Sequence, residues 1–208
     1  MSTPEPTVLT DSADVLADAV RGLLEVAVRT QVGRDDVLAA ADAVEGVTAL
    51  LSRDLRHGPW TPDRTDPRPS PYNAVIGTGN PLAAPVVLTA REPAGVHGHV
   101  RFGTAYEGAP GLVHGGVLSM VMDQVFGEAA IAAGVGGMTV GLEVRYVAPT
   151  PLDCVLEVDG RVVDAGERKV RLEGSIRVGG TTTVTATATF FRITAEHAQR
   201  LFPHLVRE

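Results

Sequence analysis

The stretch VHGGVLSMVMDQVFGEAAIAAGV, residues 113–135, decides the fold of this chain, because nearly every position in it is apolar or small. A helix that is apolar almost all round must be covered by neighbouring elements on more than one side. Asp123, Gln124 and Glu128 interrupt the stretch, which makes it a poor membrane span. We therefore predict a long central helix that begins near Gly115 and is wrapped by a sheet.

Strand patterns on both sides of this helix complete the prediction. Alternating apolar and polar residues indicate a hairpin before the helix and four consecutive strands after it. The order predicts an α+β domain over residues 71–193, with one antiparallel sheet against the helix and the last four strands in a meander. The predicted strands are Val86–Glu92, Val96–Phe102, Thr139–Val147, Cys154–Val163, Lys169–Val178 and Thr182–Arg192.

The segments that flank this domain have their own patterns. Helical spacing predicts amphipathic helices over Asp11–Thr30 and Val37–Leu55, and seven prolines predict an extended arm over Gly58–Pro85. We interpret residues 1–70 as an accessory helical segment that packs on or swaps around the domain through its apolar faces, and residues 194–208 as a short terminal helix. The apolar stripe of the first helix consists of Val15, Leu16, Ala19, Leu23, Val26 and Ala27.

Composition excludes several classes of function. A net charge of −7 over 208 residues argues against a nucleic-acid partner, because such a surface needs clustered Lys and Arg. The single Cys154 forms no internal disulfide and no Cys-based metal site, and we predict neither a metal nor a cofactor. Residues 1–10 carry no basic residue and precede no apolar run, so we expect a cytoplasmic protein that does not enter membranes.

Among the residues of the central helix, Asp123 is the main candidate for a catalytic role. Burying a carboxylate is costly unless it is paired or lies at a wet cleft. Its neighbours at i−4 and i+4, Ser119 and Gly127, are small and leave room for a ligand. The alternative is that Asp123, Gln124 and Glu128 form the solvated edge of an amphipathic helix.

The junction before the helix is a candidate anion site. His114 precedes Gly115 and Gly116, and the N–H groups and positive dipole at a helix start can receive an anion. The two glycines allow a close approach to the backbone. A tight turn with a purely structural histidine is the alternative.

Taken together, these motifs resemble a known family. The segment EGAPGLVHGG, residues 107–116, is followed by Asp123 nine positions after His114 and by Thr139 sixteen positions further on. It resembles the hotdog-fold acyl-CoA thioesterases of the PaaI-like class, most of all the branch of the mammalian carboxyl-terminal modulator protein. The segments Arg145–Pro149, Glu167–Lys169 and Asn80–Pro85 also match, so that the resemblance covers residues 72–193.

The resemblance implies hydrolysis of acyl-CoA to a free acid and CoA. It makes Asp123 the general base or nucleophile and Thr139 a partner that orients water. It makes the Gly115 N–H the main oxyanion donor, supported by Gly116, with His114 shaping the turn.

One position departs from the family pattern, and further contacts are less defined. Many PaaI-like enzymes have Asn or Gln six residues before the histidine, where this chain has Gly108, so Glu107 is a candidate substitute. An acyl tunnel is expected between helix and sheet, and basic residues near the sheet edge are candidates for CoA phosphates. The candidate substrate contacts are Glu107, Ser119, Met120, Phe126, Arg145, Arg168 and Lys169.

The length of the helix predicts an oligomer. Gly115 and Asp123 are eight residues apart, which is about 12 Å along a helix, so one thioester carbon cannot touch both. Two chains with antiparallel central helices would bring Asp123 of one to the helix start of the other, as a homodimer or a dimer of dimers. Two alternatives remain: a non-catalytic hotdog protein that binds acyl-CoA or a protein partner, and a hotdog enoyl-CoA hydratase or dehydratase that uses a histidine.

Overall fold

The computed structural model describes residues 12–58, 60, 70–93 and 95–193, and the helix predicted over residues 194–208 lies outside them. Within these residues, three α-helices and six strands follow the predicted order. The helices are α1 (Ser12–Ala27), α2 (Arg34–Leu51) and α3 (Gly115–Ala132), and a 3-10 turn spans Thr104–Tyr106. The strands are β1 (Val87–Arg91), β2 (Gly95–Arg101), β3 (Gly137–Tyr146), β4 (Val155–Ala165), β5 (Lys169–Val178) and β6 (Thr181–Arg192).

The six strands form one antiparallel sheet in the order β1-β2-β4-β5-β6-β3. The predicted hairpin β1–β2 is confirmed. The predicted four-strand meander is wrong, because β3 pairs with β6 and only β4, β5 and β6 are consecutive neighbours. The chain leaves β3 through a connection that contains Pro149 and Pro151 and crosses the start of α3. There the Val113 N–H donates to Thr150 O at 2.9 Å, and the Asp153 N–H donates to Phe102 O at 2.9 Å.

The core lies between α3 and one face of the sheet. A glycine pair, Gly160 on β4 and Gly174 on β5, lies directly beneath the helix and lets it come close to the sheet. A Cβ at Gly160 would stand 2.6 Å from Val125 Cγ1. Each large side chain buried here contributes about 1.5–3 kcal/mol. The side chains without exposed surface include Met122, Val125, Phe126, Leu156, Val170, Ile176 and Val184.

Helix α1 packs on the domain through its polar face. Asp14 and Ala17 are buried, and the Arg21 guanidinium donates to Asn80 O at 3.0 Å. In the single chain the predicted apolar stripe is exposed, with Val15 at 52% and Val26 at 59%, so it does not cover the chain's own domain; its packing around a second copy stays a prediction. Charge-assisted hydrogen bonds to fixed backbone groups therefore determine which face docks.

Helix α2 begins three residues before the predicted Val37 and ends four residues before the predicted Leu55, and none of its residues is buried. The second half of the predicted arm is also not extended. Residues 70–86 form turns against the core, with Val75 and Val86 buried and the Asn73 carboxamide oxygen accepting the Val75 N–H at 2.7 Å. Prolines exclude helix and central strand here but are compatible with side-chain-stabilised turns.

Candidate active site

The start of α3 offers one free backbone donor. His114 is the N-cap residue, and its Nδ1 accepts the Gly116 N–H at 2.9 Å. Among the described residues, none accepts a hydrogen bond from the Gly115 N–H. The prediction that Gly116 supports the ligand is therefore corrected, because its N–H already holds the His114 ring. Gly115 is left as the donor at the positive end of the helix dipole.

Tyr146 at the end of β3 covers this helix start and was not predicted as a site residue. Its hydroxyl lies 2.9 Å from the Gly115 carbonyl oxygen and 2.7 Å from Ser119 Oγ, which itself donates to the same carbonyl at 3.2 Å. A Cβ at Gly115 would stand 3.2 Å from the Tyr146 ring. Tyr146 and Ser119 thus fix the first turn of α3 and leave no spare room at Gly115.

The structure brings Asp123 and Thr139 together. Thr139 Oγ1 donates to Asp123 Oδ1 at 2.8 Å, and both side chains are exposed in the single chain. A bulge at Val140 makes the contact possible, because Thr139 pairs with Phe190 while Gly141 pairs with Thr189. The extra residue turns Thr139 to the helix-facing side of the sheet. The second carboxylate oxygen of Asp123 has no protein partner among the described residues.

The other polar residues of α3 have a different environment. Gln124 Nε2 donates to Glu128 Oε1 at 2.9 Å, and Gln124 Oε1 accepts from Asn73 Nδ2 at 2.9 Å. All three side chains are half-buried. They link α3 to the segment 70–86, so Asp123 is not one of several equivalent acids on a solvated edge.

The loop before His114 is closed by its own residues. Glu107 Oε1 accepts the Gly111 N–H at 2.6 Å, and the Gly108 N–H donates to Leu112 O at 2.9 Å. A Cβ at Gly108 would stand 2.8 Å from His114 Cα, so this backbone has no room for the Asn or Gln of the family pattern. Glu107 acts on the loop itself in this chain.

The remaining predicted substrate contacts lie in different surroundings. Met120 is half-buried, whereas Phe126 has no exposed surface and packs inside the core. The role of Phe126 as a lining residue of an acyl tunnel stays a prediction. Arg145 forms an exposed ion pair with Glu143 at 2.7 Å.

Arg168 and Lys169 lie nearer to the Asp123–Thr139 pair than Arg145 does. The Arg168 guanidinium is 5.7 Å from the centre of the Phe191 ring, and exposed Lys169 is the first residue of β5. Together with Arg192, they lie at the end of the sheet where Thr139 lies. Their contact with a phosphate stays a prediction.

The two halves of the candidate site lie apart within one chain. Gly115 and Asp123 are separated by eight residues of one continuous helix, which is about 12 Å. Beside them, β3 is an edge strand with apolar side chains exposed. The exposed fractions are 45% for Met138, 61% for Val140, 36% for Leu142 and 54% for Tyr146.

Within the described ranges, no group of three or more His, Cys, Asp or Glu side chains could hold a metal ion. No helix in the same part of the chain is long and apolar enough to cross a membrane.

A sheet wrapped against one long helix, with a free amide at the helix start and a carboxylate–threonine pair farther along, defines a hotdog-fold protein. The Thioesterase superfamily model matches residues 110–192. The crystal structure of protein RHA08564, a thioesterase superfamily protein, is 30% identical with a TM-score of 0.76, and the alignment covers 87% of this chain and 95% of that one. The chain therefore belongs to the thioesterase superfamily.

Curated relatives refine this placement. Acyl-coenzyme A thioesterase THEM4 of Xenopus laevis is 39% identical over 36% of this chain and 34% of its own length. Acyl-coenzyme A thioesterase THEM5 of Homo sapiens is 39% identical over 27% of this chain and 23% of its own. The match thus spans about a third of the length of the first relative and just under a quarter of the length of the second. The predicted resemblance to the branch of the carboxyl-terminal modulator protein is confirmed, since THEM4 belongs to it.

Proposed function

We propose that this protein hydrolyses the thioester of acyl-CoA to a free acid and CoA. One observation carries the proposal: Thr139 donates a 2.8 Å hydrogen bond to Asp123, and Asp123 lies on the same helix as the free Gly115 N–H. Membership of the thioesterase superfamily and the names of the matched relatives support it.

The geometry of each group suits one step of this reaction. Thr139 holds Oδ1 of Asp123, which leaves Oδ2 free to take a proton from water or to attack the carbonyl carbon. The Gly115 N–H and the α3 dipole stabilise the negative charge that develops on the carbonyl oxygen. When Asp123 acts as base, the water oxygen bonds to the carbonyl carbon, the C–S bond breaks, and the CoA thiolate leaves and takes up the proton that Asp123 accepted. When Asp123 acts as nucleophile, the C–S bond breaks as a mixed anhydride forms, and water then hydrolyses the anhydride to the free acid and the carboxylate, with the released proton going to the thiolate.

We propose that the active unit is a homodimer with shared sites. The apolar edge strand β3 presents unpaired backbone groups and exposed side chains such as Val140, which a second copy would cover. Antiparallel α3 helices in that dimer would bring Asp123 of one chain to Gly115 of its partner, which removes the 12 Å separation.

The test is hydrolysis of acyl-CoAs of graded chain length, with an arylacetyl-CoA and an enoyl-CoA, by the purified full chain. We expect CoA thiol release with at least one saturated acyl-CoA and its loss in Asp123→Asn. The matched control is Asp42→Asn, the same change on the exposed surface of α2. Hydration of the enoyl-CoA without thiol release, or no turnover of any thioester, would contradict the proposal.

A further inference from the structure

A carboxylate from α1 reaches the turn that precedes the candidate site. Glu25 Oε2 accepts the Ala105 N–H at 3.2 Å, at the start of the 3-10 turn Thr104–Tyr106. The residue before this turn, Gly103, has no side chain to cap it, so Glu25 supplies the cap from 80 residues away. A Cβ at Gly103 would stand 2.5 Å from the same Oε2.

The same 3-10 turn also holds the start of α3. The Tyr106 carbonyl oxygen accepts the His114 N–H at 2.9 Å, and Gly115 is the next residue. The Tyr106 hydroxyl donates to Leu82 O at 2.7 Å, and its ring packs edge-on against Phe102 at 5.0 Å between centres. Any shift of the turn therefore moves the N-cap of α3.

Helix α1 is itself fixed at this place. Arg21 donates to Thr78 O at 3.2 Å and to Asn80 O at 3.0 Å, and Thr78 Oγ1 donates to Asp14 at 2.8 Å. Partial burial raises the pKa of Glu25, but hydrogen bonds from Ala105, Arg29 and Thr104 outweigh it, so the pKa is below its ordinary value. The carboxylate is thus anchored and charged at neutral pH.

We infer that Glu25 of the N-terminal extension is a positioning residue for the oxyanion donor, acting through Ala105, Tyr106 and His114 on the Gly115 N–H. The inference rests on the proposed thioesterase function for its kinetic consequence. This role of Glu25 makes α1 a functional part of the candidate active site. Because the chemistry depends on the position of the donor, a small displacement lowers kcat and leaves substrate binding nearly unchanged.

The test compares full-length variants at positions 25 and 103. We expect Glu25→Ala to lower kcat by about 10-fold or more with KM within about twofold. Glu25→Gln keeps an acceptor oxygen for Ala105 and retains most of the activity. Gly103→Ala displaces the Glu25 carboxylate and lowers kcat as much as Glu25→Ala does. In the double variant, Gly103→Ala lowers kcat no further. Glu45→Ala, the same change on the exposed surface of α2, is the control and keeps the parental kcat.

Amide exchange of His114 gives a second readout that needs no turnover. We expect faster exchange of the His114 N–H in Glu25→Ala than in Glu45→Ala, since the Tyr106 carbonyl that accepts it is released. Parental His114 exchange in Glu25→Ala would overturn the inference, whether or not the protein hydrolyses thioesters. A lower melting temperature with parental kcat and KM would also overturn it, because Glu25 would then be a stabilising residue only. If the parent hydrolyses no acyl-CoA, faster His114 exchange still supports the coupling while the proposed function fails.

Discussion

Replacing Asp123 by Asn separates a chemical role from a structural one. The amide oxygen of Asn can still accept the 2.8 Å hydrogen bond from Thr139, and the side chain is exposed in the single chain. We therefore expect a change in the free energy of unfolding of no more than about 0.5 kcal/mol, or about 1–2 °C in Tm. Losing a positioned base or nucleophile costs about 100-fold in kcat, equivalent to about 2.7 kcal/mol of transition-state stabilisation.

The assay compares the small expected change in the free energy of unfolding with the large expected loss in kcat. Steady-state thiol release with a chromogenic reagent gives kcat, and a thermal melt of the same preparation gives Tm, with Asp42→Asn as the matched control. A parental kcat in Asp123→Asn would refute the mechanism. A Tm lowered by 5 °C or more would assign Asp123 to the fold, and the loss of activity would then carry no chemical meaning.

Two further changes test the fold and the docking of α1. Gly174→Ala places a methyl group against the Asp159 carbonyl oxygen and 2.9 Å from the Met122 methyl carbon, so we expect a loss of about 1–3 kcal/mol in urea unfolding. Gly141→Ala, whose Cβ meets nothing within 4 Å, is the control, and equal stability of the two variants would contradict the close helix–sheet approach. Because the folded-state pKa of Glu25 is lowered, its charge adds stability above the ordinary pKa of 4.5, and this is lost as the pH falls through the folded-state value. The stability difference between the parent and Glu25→Gln should therefore be present at pH 7 and shrink below about pH 4.5. A difference independent of pH would contradict the link between the charge of Glu25 and the stability of the protein.

The elements themselves could be predicted from the sequence, because each has a strong local pattern. The apolar stretch after His114 fixes α3, and period-two alternation fixes the strands. The order of the strands could not be predicted, since it depends on where the chain travels after β3. Pro149 and Pro151 show that no tight hairpin follows, but not that β3 reaches the far edge beside β6.

The roles of Asp123 and Thr139 in the candidate site came from the family resemblance and stay predictions. The structure shows a hydrogen bond between the two side chains. The contact of Tyr146 with the helix start was missed. The bulge at Val140 explains this, because it shifts the side-chain alternation of β3 by one residue, and no sequence signal marks it. The face of α1 that docks on the chain's own domain could not be predicted for a related reason: Arg21 bonds to backbone carbonyls, which have no residue pattern.

The shared site is the central claim, and mixing two inactive chains tests it most directly. Gly115→Pro removes the donor N–H at the first helical position, where the helix backbone accepts proline, and His114 with φ −59° and ψ 132° already has the conformation that precedes proline. Because the added Cβ would stand 3.2 Å from the Tyr146 ring, a thermal melt first establishes that this variant is folded. Asp123→Asn removes the carboxylate. Hybrid dimers of the two chains contain one intact site, so a mixture in which subunits exchange should recover about a quarter of the parental activity if equal amounts pair at random. No recovery, with subunit exchange demonstrated by mass spectrometry, would show that the site is built within one chain or lies elsewhere.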